Sequence, residues 1–313
     1  MIYSVIVPCY NEGENILEFY KVFKNDLKSI LDHIELIFIN DGSSDNTQEK
    51  LNELVNKNEI KIKTIEFSRN FGKEAAIKAG LDSCTGDYIS IIDADLQQNP
   101  KYILDMIEIL KNNENFDSVA CYQQERKEGK ILSLFKSAFY KLINNMSDIE
   151  LHHSASDFRT FRKCVKDAIL SMPENCRFSK GIFSWVGFNT YYMPYGVEKR
   201  FKGNSKWSFT KLFKYAIDGI TAFSTTPLVF SFFLGLIIVL LCLLVIIIKA
   251  IFEKACISGI FIISSLVLFS LGIQLMFLGV LGQYISKTYI ETKQRPMYII
   301  RKVNETSNKT GNQ

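Results

Sequence analysis

Charge is missing from two long stretches of this 313-residue chain: no Asp, Glu, Lys or Arg occurs between Gly219 and Ile248, nor between Ala255 and Ser286. Each exceeds the roughly 20 apolar residues that cross a hydrocarbon core of about 30 Å. The absence argues against an ordinary soluble protein and predicts two transmembrane helices. Cysteine pairing is missing too. Cys9, Cys84, Cys121, Cys164, Cys176, Cys242 and Cys256 are scattered, odd in number and without a Cys-x-x-Cys pair, which argues against a disulfide framework and a zinc site. His33, His152 and His153 fall in no pattern that carries chemistry. The start "MIYSVIVPCYNEGEN" lacks the basic, then apolar, make-up of a signal peptide, so the bulk of the chain is expected in the cytosol. A net charge of +4 is too small to point to nucleic acid. No internal repeat occurs, and the polar end "NETSNKTGNQ" is expected to be disordered.

Basic residues cluster beside the uncharged stretches. Lys199, Arg200, Lys202, Lys206, Lys211 and Lys214 precede the first, and Lys287, Lys293, Arg295, Arg301 and Lys302 follow the second; only Lys249, Glu253 and Lys254 lie between. That asymmetry predicts both termini in the cytosol, joined through a short external turn. Two amphipathic stripes stand out, one from Ile131 to Met146 and one from Phe209 to Ile220. The second runs into the first span and fits a helix lying in the membrane plane as well as one packed on the protein.

Through the first half, strand-like runs ("YSVIVPC", "IELIFIN", "KIKTIEFS", "DYISIIDA", "DSVACY") alternate with helical patterns. This predicts an α/β domain with a largely parallel sheet. In such sheets ligands bind beyond the carboxyl ends of the strands. The polar clusters "VPCYNEGEN", "NDGSSDNT", "SRNFGKEAA" and "DADLQQNP" all fall on that edge.

Asp93 and Asp95 flank one residue at the end of "YISII". They are either chance surface aspartates or ligands of a hard cation such as Mg²⁺ or Mn²⁺, completed by substrate phosphates. Asp41 directly follows an apolar strand and is placed to accept hydrogen bonds from a nucleobase or ribose; Ser44 or Asp45 reads as the cap of a helix starting near Thr47. Arg126, Arg159, Arg162, Arg200 and Lys206 are candidates to hold anionic phosphate. Asp157 in "SDFR" stands within reach of a salt bridge to Arg159 or Arg162.

The ordered motifs "SVIVPCYNEGEN", "FINDGSSDNT", "SRNFGKEAAIKAGLDSCTGDYISIIDADLQQNP", "SDFRTFRK" and "RFKGNSKWSF", followed by two spans, resemble the family 2 glycosyltransferases that use polyprenyl phosphate, among them bactoprenol glucosyltransferases and dolichyl-phosphate mannosyltransferase. The resemblance implies a GT-A fold, a nucleotide-diphosphate sugar donor with UDP-glucose as the first guess, undecaprenyl phosphate as acceptor, and inversion. It implies that Pro8, Tyr10, Asn11, Glu12, Asp41, Asp93 and Gln97 line the donor site, and that Asp93 and Asp95 hold Mg²⁺ or Mn²⁺. Asp157, Arg126, Arg200 and Lys206 then match catalytic or acceptor-side positions, where Asp157 orients the phosphate or a sugar hydroxyl, helps with a proton, or only forms its salt bridge. Gln123 departs from the pattern where relatives often carry a further basic residue. The expected organisation is a cytosolic GT-A domain over 1–205, an amphipathic juxtamembrane helix over 206–223, a transmembrane hairpin over 224–286, and a basic, polar tail over 287–313, all at the cytoplasmic membrane. A processive polysaccharide synthase and a non-catalytic nucleotide-sugar-binding scaffold are the rival readings. A homo-oligomer through Gly272, Gly279 and Gly282, and a partner flippase or glycosyltransferase in the membrane, stay open.

Overall fold

The structure, a computed structural model, describes residues 1–57, 59–123, 155–196, 221, 224–251 and 259–306. The alternating runs become β1 (Tyr3–Cys9), β2 (Ile34–Asn40), β3 (Lys61–Phe67), β4 (Tyr88–Ile91) and β5 (Ser118–Gln123), interleaved with α1 (Ile16–Asp26), α2 (Thr47–Lys57), α3 (Lys73–Ser83) and α4 (Tyr102–Asn112). Then come β6 (Ala155–Arg162), α5 (Lys163–Ser171), α6 (Ser179–Trp185), β7 (Thr190–Tyr195), two long helices α7 (Thr226–Ile251) and α8 (Gly259–Thr292), and β8 (Ile300–Glu305).

The strands form one sheet in the order β7-β5-β6-β4-β1-β2-β3-β8. β1 pairs parallel with β2 and β4, and β2 with β3. β6 inserts antiparallel between β4 and β5. The sheet is therefore mixed where the alternation predicts a largely parallel one.

Central strands buried on both faces read as continuous apolar runs, and every residue of β2 is buried. Val5, Val7 and Phe38 pack with Phe19 and Phe23 of α1 on one face. Ile6, Ile37 and Ile39 pack with Ala75, Ala76 and Ala79 of α3 on the other. α3 sits close because it is built from small residues: a Cβ on Gly80 would lie 2.3 Å from Ile6 Cγ2.

Residues 287–306 are not a free tail. Ile300–Glu305 pairs antiparallel with β3, setting Lys63 opposite Glu305 and Glu66 opposite Lys302. The Thr306 N–H donates to the Ile62 carbonyl at 3.0 Å, which extends order into the polar end. β8 is mostly exposed; its gain is a hydrogen-bond ladder that covers the β3 edge, and burial patterns do not report such a gain. Upstream, Tyr298 stacks on Phe67 at 5.0 Å and donates to Asp82 at 2.6 Å. The backbone N–H groups of Asn175 and Cys176 donate to Glu291. The sheet domain expected to close near residue 205 thus takes its last strand from beyond the apolar helices. Residues 307–313 lie outside the described residues.

α7 and α8 run antiparallel: Tyr284 near the end of α8 donates to the Ser224 carbonyl just before α7 at 2.6 Å, and a Cβ on Gly235 would lie 3.8 Å from Phe277. Among the described residues one stretch, Phe269–Thr292 with mean hydropathy 1.4, is long and apolar enough to cross a membrane; the apolar stretch Thr226–Ile238 is shorter. The two spans expected over 224–286 therefore reduce to one such stretch among the described residues. The amphipathic stripes lie outside them.

Candidate active site

Four loops leave the carboxyl ends of β1 to β4, and hydrogen bonds stitch them together. The Asn11 N–H donates to Ser43 Oγ at 2.9 Å, and Asn11 Oδ1 accepts from the Ser44 N–H at 2.8 Å. The Glu12 N–H donates to Thr47 Oγ1 at 2.9 Å, and the Gly13 N–H to Asp45 Oδ2 at 3.1 Å. Asp45 Oδ1 also accepts from the Thr47 N–H at 3.0 Å, the helix-start role expected of Ser44 or Asp45. Pro8, next to last in β1, pairs with Ile39, and Tyr10 stands exposed beyond the strand.

Asp41 joins the second loop to the third. Its carboxylate accepts the Phe71 N–H at 2.6 Å and the Gly72 N–H at 3.0 Å. Burial pushes its pKa up, and those two N–H groups pull against the rise. Gly42 follows with φ +61°, and a Cβ there would lie 2.3 Å from the Arg69 carbonyl carbon. Gly42→Ala is therefore expected to destabilise the protein by about 1–3 kcal/mol through backbone strain and this collision. Urea or thermal unfolding measures it, and an unmoved midpoint would refute the close approach of the two loops.

Lys73, the first residue of α3, joins the third loop to the fourth and to β6. Its Nζ lies 2.8 Å from Asp93 Oδ1 and 2.9 Å from Asp157 Oδ2. β4 and β6 explain the meeting. Tyr88 pairs with Arg162 and Ile91 with Arg159; continuing that register by two residues sets Asp93 opposite Asp157. Like charges directly opposed on neighbouring strands repel, and the ammonium relieves that repulsion. Burial works against charge on Asp157, yet Lys73, Lys180 and Arg159 outweigh it and hold the carboxyl well below the usual range. Burial likewise opposes the charge of Lys73, and Asp157 and Asp93 raise its pKa regardless. Asp93 moves upward, from burial first and from Asp157 and Asp95 nearby, against the pull of Lys73.

The fourth loop is held from within. Gln98 Oε1 accepts the Asp93 N–H at 3.0 Å, and Asp95 Oδ1 accepts the Gln97 N–H at 3.1 Å. Leu96 between them has φ +62°. Positive φ is a genuine outlier for a bulky residue, and such backbone clusters at functional sites. Asn11, in the first loop, also has positive φ.

The basic candidates divide. Arg126, Arg200 and Lys206 lie outside the described residues. Arg162 donates to the Phe116 carbonyl at 3.1 Å and to Tyr88 Oη at 3.3 Å, behind the sheet edge. Arg159 is buried, lies 3.9 Å over the Phe183 ring and donates to the Ser156 carbonyl at 3.0 Å. The ion pair of Asp157 is with Lys73, where the alternative reading gives it to Arg159 or Arg162. Gln123 donates to Tyr195 Oη at 3.1 Å.

Lys73 and Gln98 are the residues that motif reading misses. Lys73 carries a usable signal: a lysine at the first helical position opposes the helix dipole, which favours anions there, so something else must hold it. Gln98 carries none, because it adjoins Gln97 and only the loop conformation separates them.

Among the described residues no three His, Cys, Asp or Glu side chains are grouped to hold a metal. The chain offers the Asp93 and Asp95 carboxylates, with Asp93 already carrying a cationic partner in Lys73. Crowded hard-oxygen donors of this kind fit a divalent cation whose remaining ligands come from a diphosphate.

The mixed sheet with this loop edge is a GT-A-like fold. Glucosyl-3-phosphoglycerate synthase from Mycobacterium tuberculosis, solved with phosphoglyceric acid, shares the fold at TM-score 0.51 and 18% identity over 70% of this chain and 78% of that one. Residues 4–169 match the family described as glycosyl transferase family 2, and the chain belongs to that family. CsbB of Bacillus subtilis (strain 168), named as a glycosyltransferase, is 40% identical over 96% of this chain and 92% of its own length. The prophage bactoprenol glucosyl transferase homolog of Escherichia coli (strain K12) is 39% identical over 96% and 98%. The bactoprenol glucosyl transferase of Shigella phage SfX is 38% identical over 95% and 98%. This chain is a glycosyltransferase.

Proposed function

We propose that the enzyme transfers a sugar, glucose from UDP-glucose as the first candidate, to undecaprenyl phosphate at the cytoplasmic membrane face, with inversion. The observation that carries the reading is similarity to bactoprenol glucosyl transferases over 95% or more of the chain, apolar helices included. Phe230, Phe232 and Phe233 of α7 and Leu275 and Met276 of α8 expose 55–70% of their surface, which suits lipid. With both domain-proximal helix ends together, a hairpin over 224–286 places residues 1–205 and β8 on the cytosolic side with the basic flanks.

In this reading Pro8, Tyr10, Asn11 and Glu12 line the nucleotide, Asp41 fixes the wall beside the base, and Asp93, Asp95 and Gln97 face the diphosphate. Asp93 and Asp95 would hold a divalent cation, which when bound would supply Lewis-acid neutralisation of charge on the departing diphosphate. An acceptor phosphate oxygen bonds to the anomeric carbon as the bond to the diphosphate oxygen breaks. The acceptor, a phosphate monoester with a second pKa of about 6, is largely dianionic at neutral pH, so Asp157 has no proton to take and, itself anionic, positions the phosphate through the Lys73 ammonium it pairs with. Arg126, Arg200 and Lys206 supply the positive charge that brings two phosphates together.

The test uses purified full-length protein, undecaprenyl phosphate and Mg²⁺ with radiolabelled UDP-, GDP- and dTDP-sugars. Label should enter the organic phase from one donor, UDP-glucose first, and EDTA should abolish it. Absence of lipid-linked label from every donor would overturn the acceptor assignment.

A further inference from the structure

Resting on the function proposed above, we propose that Lys73 is a positioning residue: it clamps the donor-side Asp93 to the acceptor-side Asp157, and gives up Asp93 when a divalent cation and diphosphate arrive.

Three observations carry this. Its ammonium touches both oxygens of Asp93, at 2.8 and 3.1 Å, and Asp157 at 2.9 Å. It therefore occupies the oxygens that a metal would need. The Lys73 side chain keeps 37% exposure, so an incoming phosphate can reach it. Finally, the backbone carrying it is fixed, since Asp41 grips the N–H groups of Phe71 and Gly72 just before it. Contacts thus run unbroken from the aspartate on the nucleotide side to the one on the acceptor side.

Two cations on one carboxylate repel each other, and the divalent ion has the stronger attraction for it. Lys73 then stays on Asp157 and turns its free N–H toward the diphosphate. The ammonium should hinder metal binding to the empty enzyme and favour it once the diphosphate is present.

Mn²⁺ binding to full-length protein, followed by electron paramagnetic resonance with and without UDP, tests the exchange in wild type, Lys73→Met and Lys73→Gln. Without UDP both variants are expected to bind Mn²⁺ about tenfold tighter, because Asp93 loses its competitor. With UDP they should lose most of the enhancement that UDP gives the wild type, and sugar transfer should fall about 10²-fold. Equal Mn²⁺ affinity in wild type and folded variants overturns the proposal and leaves the transferase reading intact. Failure of both variants to fold assigns Lys73 to stability and overturns it as well. A wild type that binds no Mn²⁺ in either condition overturns the metal assignment and the exchange together.

Discussion

Asp157→Asn is expected to lower sugar transfer by about 10²-fold with the fold preserved, the scale of losing the positioning of a reacting group. The substitution keeps shape and removes charge. Lys73 would keep its contact with Asp93, so the site should not collapse. What disappears is the anion at the start of β6 that is held charged, against burial, by Lys73, Lys180 and Arg159. Because that carboxyl is depressed well below the usual range, it is ionised throughout the neutral region. The defect should therefore be flat from about pH 6 to pH 8. Initial rates across that window, with circular dichroism as the folding control, check both statements. Retention of most of the wild-type rate would remove Asp157 from the chemistry.

Asp95→Asn is expected to abolish measurable Mn²⁺ binding and cut transfer by about 10²–10³-fold, the scale of losing Lewis-acid and electrostatic stabilisation at a leaving group. An asparagine oxygen can still accept the Gln97 N–H that Asp95 Oδ1 receives at 3.1 Å, so the strained turn through Leu96 should persist. That separates metal loss from loop disorder. Titrating Mg²⁺ or Mn²⁺ in the transfer assay is the readout, and a normal rate at ordinary metal concentration would refute the assignment of Asp95.

Much of this was written in local sequence. A run such as "IELIFIN" is apolar on both faces, and only a central strand covered by helices on each side satisfies it. The polar clusters after β1 to β4 had to share an edge once those strands ran parallel. Apolar length and missing charge marked the helices beyond residue 219 for the same reason: they depend on neighbours along the chain.

The tertiary structure decided whatever depends on pairing between distant segments. β6 enters antiparallel, so its beginning, not its end, lies at the site, and the register alone sets Asp157 across from Asp93. That pairing creates the two carboxylates that Lys73 neutralises. β8 lacks a buried face and is held by its ladder to β3, an edge that exists only after the sheet has formed. Composition and periodicity determine which segments fold and which face each buries; strand order and register, set by packing across the whole domain, determine which charges meet.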